Sequence, residues 1–227
     1  MSPAMIDLVQ GVASNGGESY SLNVQTLIVI TTLAFLPSLL LLMTCFTRII
    51  VVLSVLRQAL GLQTTPPNMI LVALSLILTL FIMRGVVQKE QDVALTPYLN
   101  GTITFSQAIE AAEPPIQAFM AGQTRKDALH LYVDLSGETD ISSTNIPMWI
   151  LVPAFATSEL ETAFQISFLI YLPFVLVDLA VAAILMALGM IMVSPNLVSL
   201  PLKLLMFVSI HGWVLVLGTL ANSYLVK

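Results

Sequence analysis

FLIYLPFVLVDLAVAAILMALGMIMV, residues 168–193, is almost wholly apolar yet carries Asp178 near its middle, with no basic residue in the run. Acids inside apolar helices are rare and face a bundle interior or water, because hydrocarbon solvates a carboxylate poorly. The fold must therefore bring Asp178 a polar neighbour from another part of the chain or from another subunit. The run belongs to one of four long apolar stretches, roughly 24–46, 68–87, 164–193 and 198–221. Each compares with the ~20 residues that a membrane-spanning helix needs. With 57% hydrophobic and 9% charged residues, against ~25% charged in a soluble domain, the chain is an integral membrane protein or a subunit buried in an equally apolar assembly.

The third stretch, ~45 Å long as a straight helix, exceeds a hydrocarbon core of ~30 Å and is interrupted by Pro173; Pro37 interrupts the first. Kinked, overlong apolar helices suit packing against protein as well as against lipid. The first helix is expected to run on through Arg48 and Arg57 to Gly61, where Pro66-Pro67 blocks it. The reading is an all-α chain in four parts: an N-terminal tail (1–23), a first apolar helical hairpin (24–87), a polar acidic helical segment (88–147) and a second apolar hairpin (148–227). The polar segment carries Glu90, Asp92, Glu110, Glu113, Asp127, Asp134, Glu138 and Asp140 against Lys89, Arg125 and Lys126. Within it Thr104 and Gln107 read as a capping box opening a helix to about Gly122, followed by a short helix over 124–135. Arg48, Arg57 and Lys203 put the connections that hold them on the cytoplasmic side, with the acidic segment and both termini outside.

The net charge of −5 argues against nucleic acid, which selects a basic face. Cys45 is the single cysteine and lies in an apolar run, so no intrachain disulfide forms. No HExxH, GxSxG, phosphate-binding glycine loop or Cys/His metal spacing is present, and the sequence implies no catalytic, metal-binding or cofactor-binding residue.

Ser158 with Glu161 has the spacing of a capping box, which would start a helix at about 159. Glu159 is freer to meet a base on a neighbouring subunit. A hairpin turning at Ser194-Pro195-Asn196 sets Asp178 level with His211. The expected contact is an Asp178–His211 pair; the functional alternative is a proton-conducting Asp178. The same register leaves Lys203 opposite Met186 with no acid, so that it snorkels to water or meets an acid of another subunit, with Glu159 the candidate. Met186, Met190 and Met192 precede the turn. Methionine fills irregular gaps, so these residues are either ordinary apolar packing or a deformable seal at a constriction.

The stretches FTRIIVVLSVLRQALG (46–61), PPNMILVALSLILTLFIM (66–83), VPAFATSELETAFQISFLIYLPFVLVDLAVAAILMALGMIMVSP (152–195) and LPLKLLMFVSIHGW (200–213) closely resemble FliP. That family supplies a core export-gate subunit of the bacterial flagellar type III secretion apparatus and is similar to the equivalent subunit of virulence injectisomes. The resemblance implies a cleaved signal peptide and a ring of five copies joined by FliQ and FliR and contacted by FlhB. It implies hairpins wound into a closed helical cone at the periplasmic side of the inner membrane, within the flagellar basal body. Unfolded flagellar substrates pass through its pore, driven by the proton motive force and an ATPase elsewhere in the apparatus. The family's methionine gasket falls on Met190, Ile191 and Met192, with Ile191 standing where a third methionine can occur. The resemblance also puts Glu159 and Lys203 in the subunit-contact region.

Overall fold

A computed structural model describes residues 22–137, 146–190 and 192–225, and every regular element among them is helical. In chain order these are α1 (Leu22–Leu42), α2 (Phe46–Ala59), α3 (Asn68–Glu90), a π-helical turn (Gln91–Leu95), α4 (Thr96–Leu99), α5 (Phe105–Gln123), α6 (Lys126–Ser136), α7 (Met148–Ala187), α8 (Pro195–Ser209) and α9 (Gly212–Leu225). The chain divides into two units after Leu40. The described residues of the first belong to the apolar α1, with Leu33 and Phe35 exposed. Everything that follows concerns the second.

Its centre is α2. Cys45, Ile49, Val52, Leu53, Leu56, Ala59 and Leu60 are buried, a three-and-four spacing that lays one apolar stripe along a helix. Helix α7 covers this stripe with Ala163 and Phe174, and α8 and α9 add Phe207, Val216 and Leu220. A second cluster joins Met120 of α5 to Ile150, Leu151 and Phe155 near the start of α7.

The helix ends follow local chemistry. Gly61, Gly101 and Gly189 have φ of 78°, 71° and 75°. In each case the glycine N–H and the N–H after it bond back into the last turn, as with Gly189 to the Met186 carbonyl (3.0 Å) and Met190 to the Leu185 carbonyl (2.9 Å). That is the glycine-terminated Schellman ending, which few other residues can adopt. The Thr104–Gln107 capping box forms, and α5 and α6 occupy the two intervals expected of the polar segment.

Three expectations change. The first helix is not continuous to Gly61: it stops at Leu42 and restarts at Phe46. Helix α7 does not begin at 159. It begins at Met148, directly after Pro147, and runs for 40 residues through Pro153 and Pro173. The fourth apolar stretch is two helices, bent by 62° at Ile210–His211. Pro37 and Pro173 each lie inside a helix that carries on past them; each removes one donor from the ladder without ending it.

By length and composition, Asn68–Leu99 and Met148–Ala187 are able to cross a membrane, and α8 with α9 qualifies as a bent pair. At the bend, a Cβ placed on Gly212 would lie 2.2 Å from the Phe207 ring, so only glycine lets that ring pack there. Gly212→Ala is expected to displace Phe207 and to lower stability by about 1–3 kcal/mol, the range for overpacking a core. Thermal unfolding of the detergent-solubilised protein checks this, and an unchanged midpoint contradicts the close approach.

Candidate functional site

Two ion pairs, one buried and one part-buried, fasten α8 and α9 onto α2 and α7. The first is built on the apolar stripes themselves. Arg48 lies beside Ile49 on the buried face of α2, and Glu159 follows Leu151 and Phe155 at four-residue intervals on α7. Arg48 is 2% exposed and Glu159 fully buried. The guanidinium grips the carboxylate with two donors, Nε to Oε2 at 3.1 Å and Nη2 to Oε1. Its remaining edge donates from Nη1 to Ser223 Oγ at 3.0 Å. The Tyr224 hydroxyl donates to Glu159 Oε2, and the Arg48 Cζ sits 3.9 Å from the centre of the Tyr224 ring. Gln123 of α5 donates to the Tyr224 carbonyl at 3.3 Å, so the polar segment is tied in as well.

A charge this deep is tolerated only when paired and fully hydrogen-bonded. The bidentate geometry and the aromatic face supply that. The pair fixes which face of α9 meets α2 and α7, because no other position along these stripes offers the complementary charge.

The second pair lies toward the other end of α7. Lys203 of α8 donates to Asp178 Oδ2 at 2.5 Å and to the Ala59 carbonyl at 3.1 Å. Ser199, one turn earlier on the same face, donates to Asp178 Oδ1 at 2.6 Å. Ala59 ends α2, so the ammonium also meets the negative end of that helix. The Lys203 side chain is 6% exposed and that of Asp178 31%. The carboxylate borders a cavity of about 490 Å³ of mixed lining, with Gln63, Thr64 and Asn196 among its polar residues and Leu62, Leu197 and Leu200 among its apolar ones.

The expected Asp178–His211 pair is therefore replaced by Asp178–Lys203. Gly189 ends α7 several residues before Pro195, and Pro195 opens α8 rather than marking the turn. Asp178 lies nine residues before the end of α7 and Lys203 eight after the start of α8, which brings them level. His211 sits exposed at the break between α8 and α9. Glu159 and Lys203 do not pair within the chain; each has its own partner, Arg48 and Asp178 respectively. With Arg48 and Lys203 buried in ion pairs, neither is a loop charge of the kind that sets orientation. Arg57 alone of the three stays at a connection, where it holds the Pro66 carbonyl (3.1 Å) and Asn68 Oδ1 (2.6 Å).

Ser158 and Glu161 are not caps, since the helix around them has begun ten residues earlier and its own carbonyls take the N–H groups. The Ser158 hydroxyl instead accepts the Arg125 N–H at the start of α6 (2.9 Å), and Glu161 pairs with Arg125 Nη1 at 3.3 Å. Met186 ends α7, and Met190 and Met192 lie beyond Gly189 at the hairpin tip, both exposed, Met192 completely. Ile191 lies outside the described residues. Among those residues, no three His, Cys, Asp or Glu side chains group as a metal site.

Replacing Glu159 by Gln, or Arg48 by Met, is expected to destabilise by about 3–5 kcal/mol, because each strands a buried charge or its partner. The double change Arg48→Met with Glu159→Met is expected to recover much of that loss, since apolar residues of similar volume substitute well for a buried pair. A double-mutant cycle on chemical unfolding measures the coupling, and strictly additive losses contradict it.

The FliP family model matches residues 29–220. A flagellar biosynthetic protein FliP of Pectobacterium carotovorum subsp. carotovorum is 48% identical over 229 residues, covering 99% of this chain and 89% of that protein. One from Cereibacter sphaeroides is 51% identical over 210 residues, covering 92% and 70%. One from Bacillus subtilis (strain 168) is 41% identical over 221 residues, covering 97% and 100%. With the matched region running from inside α1 to inside α9, this chain belongs to the FliP family.

Proposed function

We propose that the chain is a core subunit of the flagellar type III export gate, several copies of which, five by resemblance to the family, surround a pore for unfolded flagellar proteins. FliQ, FliR and FlhB are its partners in this reading, and its place is the bacterial inner membrane at the periplasmic side of the basal body. The subunit performs no chemical step. Its work is to hold a pore closed and to let it open.

The observation that supports this reading best is the hairpin of α7 and α8. Met186, Met190 and Met192 stand exposed at its tip, while its stem is held by the Asp178–Lys203 pair. Unbranched, polarizable side chains on a rigid stem suit a seal that must close on itself and yield to a passing chain. In a symmetric ring such tips converge on the axis. In the sequence Ile191 stands between Met190 and Met192, an apolar residue stiffer at its first side-chain torsion than methionine.

A second reading takes Asp178 as a proton carrier, favoured by its partial exposure beside the cavity. Asp178→Asn separates the two. Conduction through this carboxylate requires an assembled variant that has lost proton flux, whereas a structural carboxylate loses its ion pair and weakens assembly or closure. The seal itself is tested by Met190→Ala with Met192→Ala. The assembled complex is expected to form normally and to leak ions across the membrane, as read by conductance or dye release. Unchanged permeability in the assembled variant overturns the seal.

A further inference from the structure

We propose that His211–Gly212 is a hinge about which α8 swings away from α7 when the Asp178–Lys203 pair opens, while α9 stays locked on Arg48 and Glu159. The idea rests on the gate reading only for its purpose. Its geometry comes from the two fastenings and the break between them.

Each helix of the bent pair is fastened separately. Helix α8 is held through Ser199 and Lys203, and α9 through Ser223 and Tyr224. The break between them is bent by 62°. His211 has φ of 52°, the left-handed region that residues with a side chain enter uncommonly, histidine more readily than most. Gly212 has no room for a side chain because the Phe207 ring fills it, and Phe207 in turn meets Trp213 edge-on across the break at 5.5 Å. The backbone bonds here belong to the two helix ends, Ile210 N–H to the Met206 carbonyl (3.2 Å) and His211 N–H to the Val208 carbonyl (3.1 Å) on one side and Leu215 N–H to the His211 carbonyl (3.2 Å) on the other, and a junction between two helix ends is where a large change of φ and ψ is absorbed.

The two fastenings are unequal, and that sets which helix moves. Glu159 is fully buried, gripped by two guanidinium donors and the Tyr224 hydroxyl, so parting it from Arg48 leaves both charges without water. Asp178 takes one donor from the ammonium and one from the Ser199 hydroxyl, is partly exposed, and borders the cavity. When that contact parts, water and the amides of Gln63 and Asn196 are there to solvate the carboxylate. The flexible stem of Lys203 lets its ammonium follow. The cavity therefore lowers the cost of opening on the α8 side alone. On the gate reading, α8 is the helix that leads directly from the methionine tip, so its swing displaces that tip.

Spin-label distances test the hinge in the assembled complex, diluted with unlabelled protomers so that one protomer is read at a time. A label at Leu197 reports α8, one at Leu215 reports α9, and each is measured against a label at Phe168 on α7. Asp178→Asn is expected to lengthen or broaden the Leu197–Phe168 distance by about 5 Å or more. That is what a swing of roughly 15° gives near the far end of a helix of this length at 1.5 Å per residue. The Leu215–Phe168 distance should stay as in the parent. Equal movement of both pairs, or movement of neither, overturns the hinge. If Asp178→Asn does not assemble, Ser199→Ala keeps both charges, removes one contact of the same fastening, and is read by the same outcomes. Neither export nor conductance enters the measurement, so a failed gate reading leaves the distance result standing, and unmoved labels in a working gate overturn the hinge alone.

Discussion

A guanidinium and a carboxylate buried against each other inside an apolar contact leave the surrounding helices little choice. Arg48 and Glu159 are both almost wholly removed from water, and neither side chain has anywhere else within its helix to find an opposite charge. The pair therefore fixes the register of α2 against α7. Tyr224 and Ser223 then fix α9 on the same point, and Gln123 fixes the end of α5. Such pairs add less to stability than their Coulomb energy suggests, because desolvation takes most of it back. What they add is a single arrangement: any slip of one helix by a turn strands two charges.

This matters more here than in a soluble core. Only 22% of the most apolar window of Asn68–Leu99 and 17% of that of Met148–Ala187 is buried within the chain. Most apolar surface on these helices faces outward, to lipid or to other protein. Between helices in an apolar surround, the hydrophobic effect gives little reason to prefer one packing over another. Close contacts of small residues and specific polar bonds supply the preference. The chain places its polar contacts accordingly, with one fastening toward each end of the α2–α7 contact and mostly apolar residues between, the buried Ser167 an exception.

Much of this was legible in the sequence, and the misreadings share a cause. The helical class and the apolar stretches follow from composition and run length. The Thr104–Gln107 capping box was readable because Gly101 ends the element before it. Ser158 and Glu161 have the same spacing but follow an unbroken apolar run from Met148, so the motif had no helix start to mark. The Asp178–His211 register fails because it puts the turn at Ser194-Pro195-Asn196, whereas glycine ends helices and proline opens them; Gly189 is the better marker. The importance of Arg48 was also available. It stands on the stripe that runs from Cys45 through Ile49 and Val52, and a charge on a buried stripe demands a partner on the facing one. The four-residue spacing from Leu151 through Phe155 to Glu159 names that partner. What no spacing rule reveals is that Tyr224, 65 residues further on, closes the same site.

The two fastenings differ in a way that follows from where each sits. Arg48–Glu159 lies where three helices and the end of α5 converge, so each nitrogen of the guanidinium and both oxygens of the carboxylate find protein partners. Asp178–Lys203 lies where α2 has just ended at Gly61 and the chain turns away, which leaves a cavity instead of a fourth helix. A helix end beside an ion pair thus does two opposed things. Its last carbonyl, from Ala59, holds the ammonium in place, and the space beyond it admits the water that makes separation affordable. On the gate reading, a chain that must hold one arrangement firmly and release another has reason to put its first charge pair where several helices converge and its second beside a cavity.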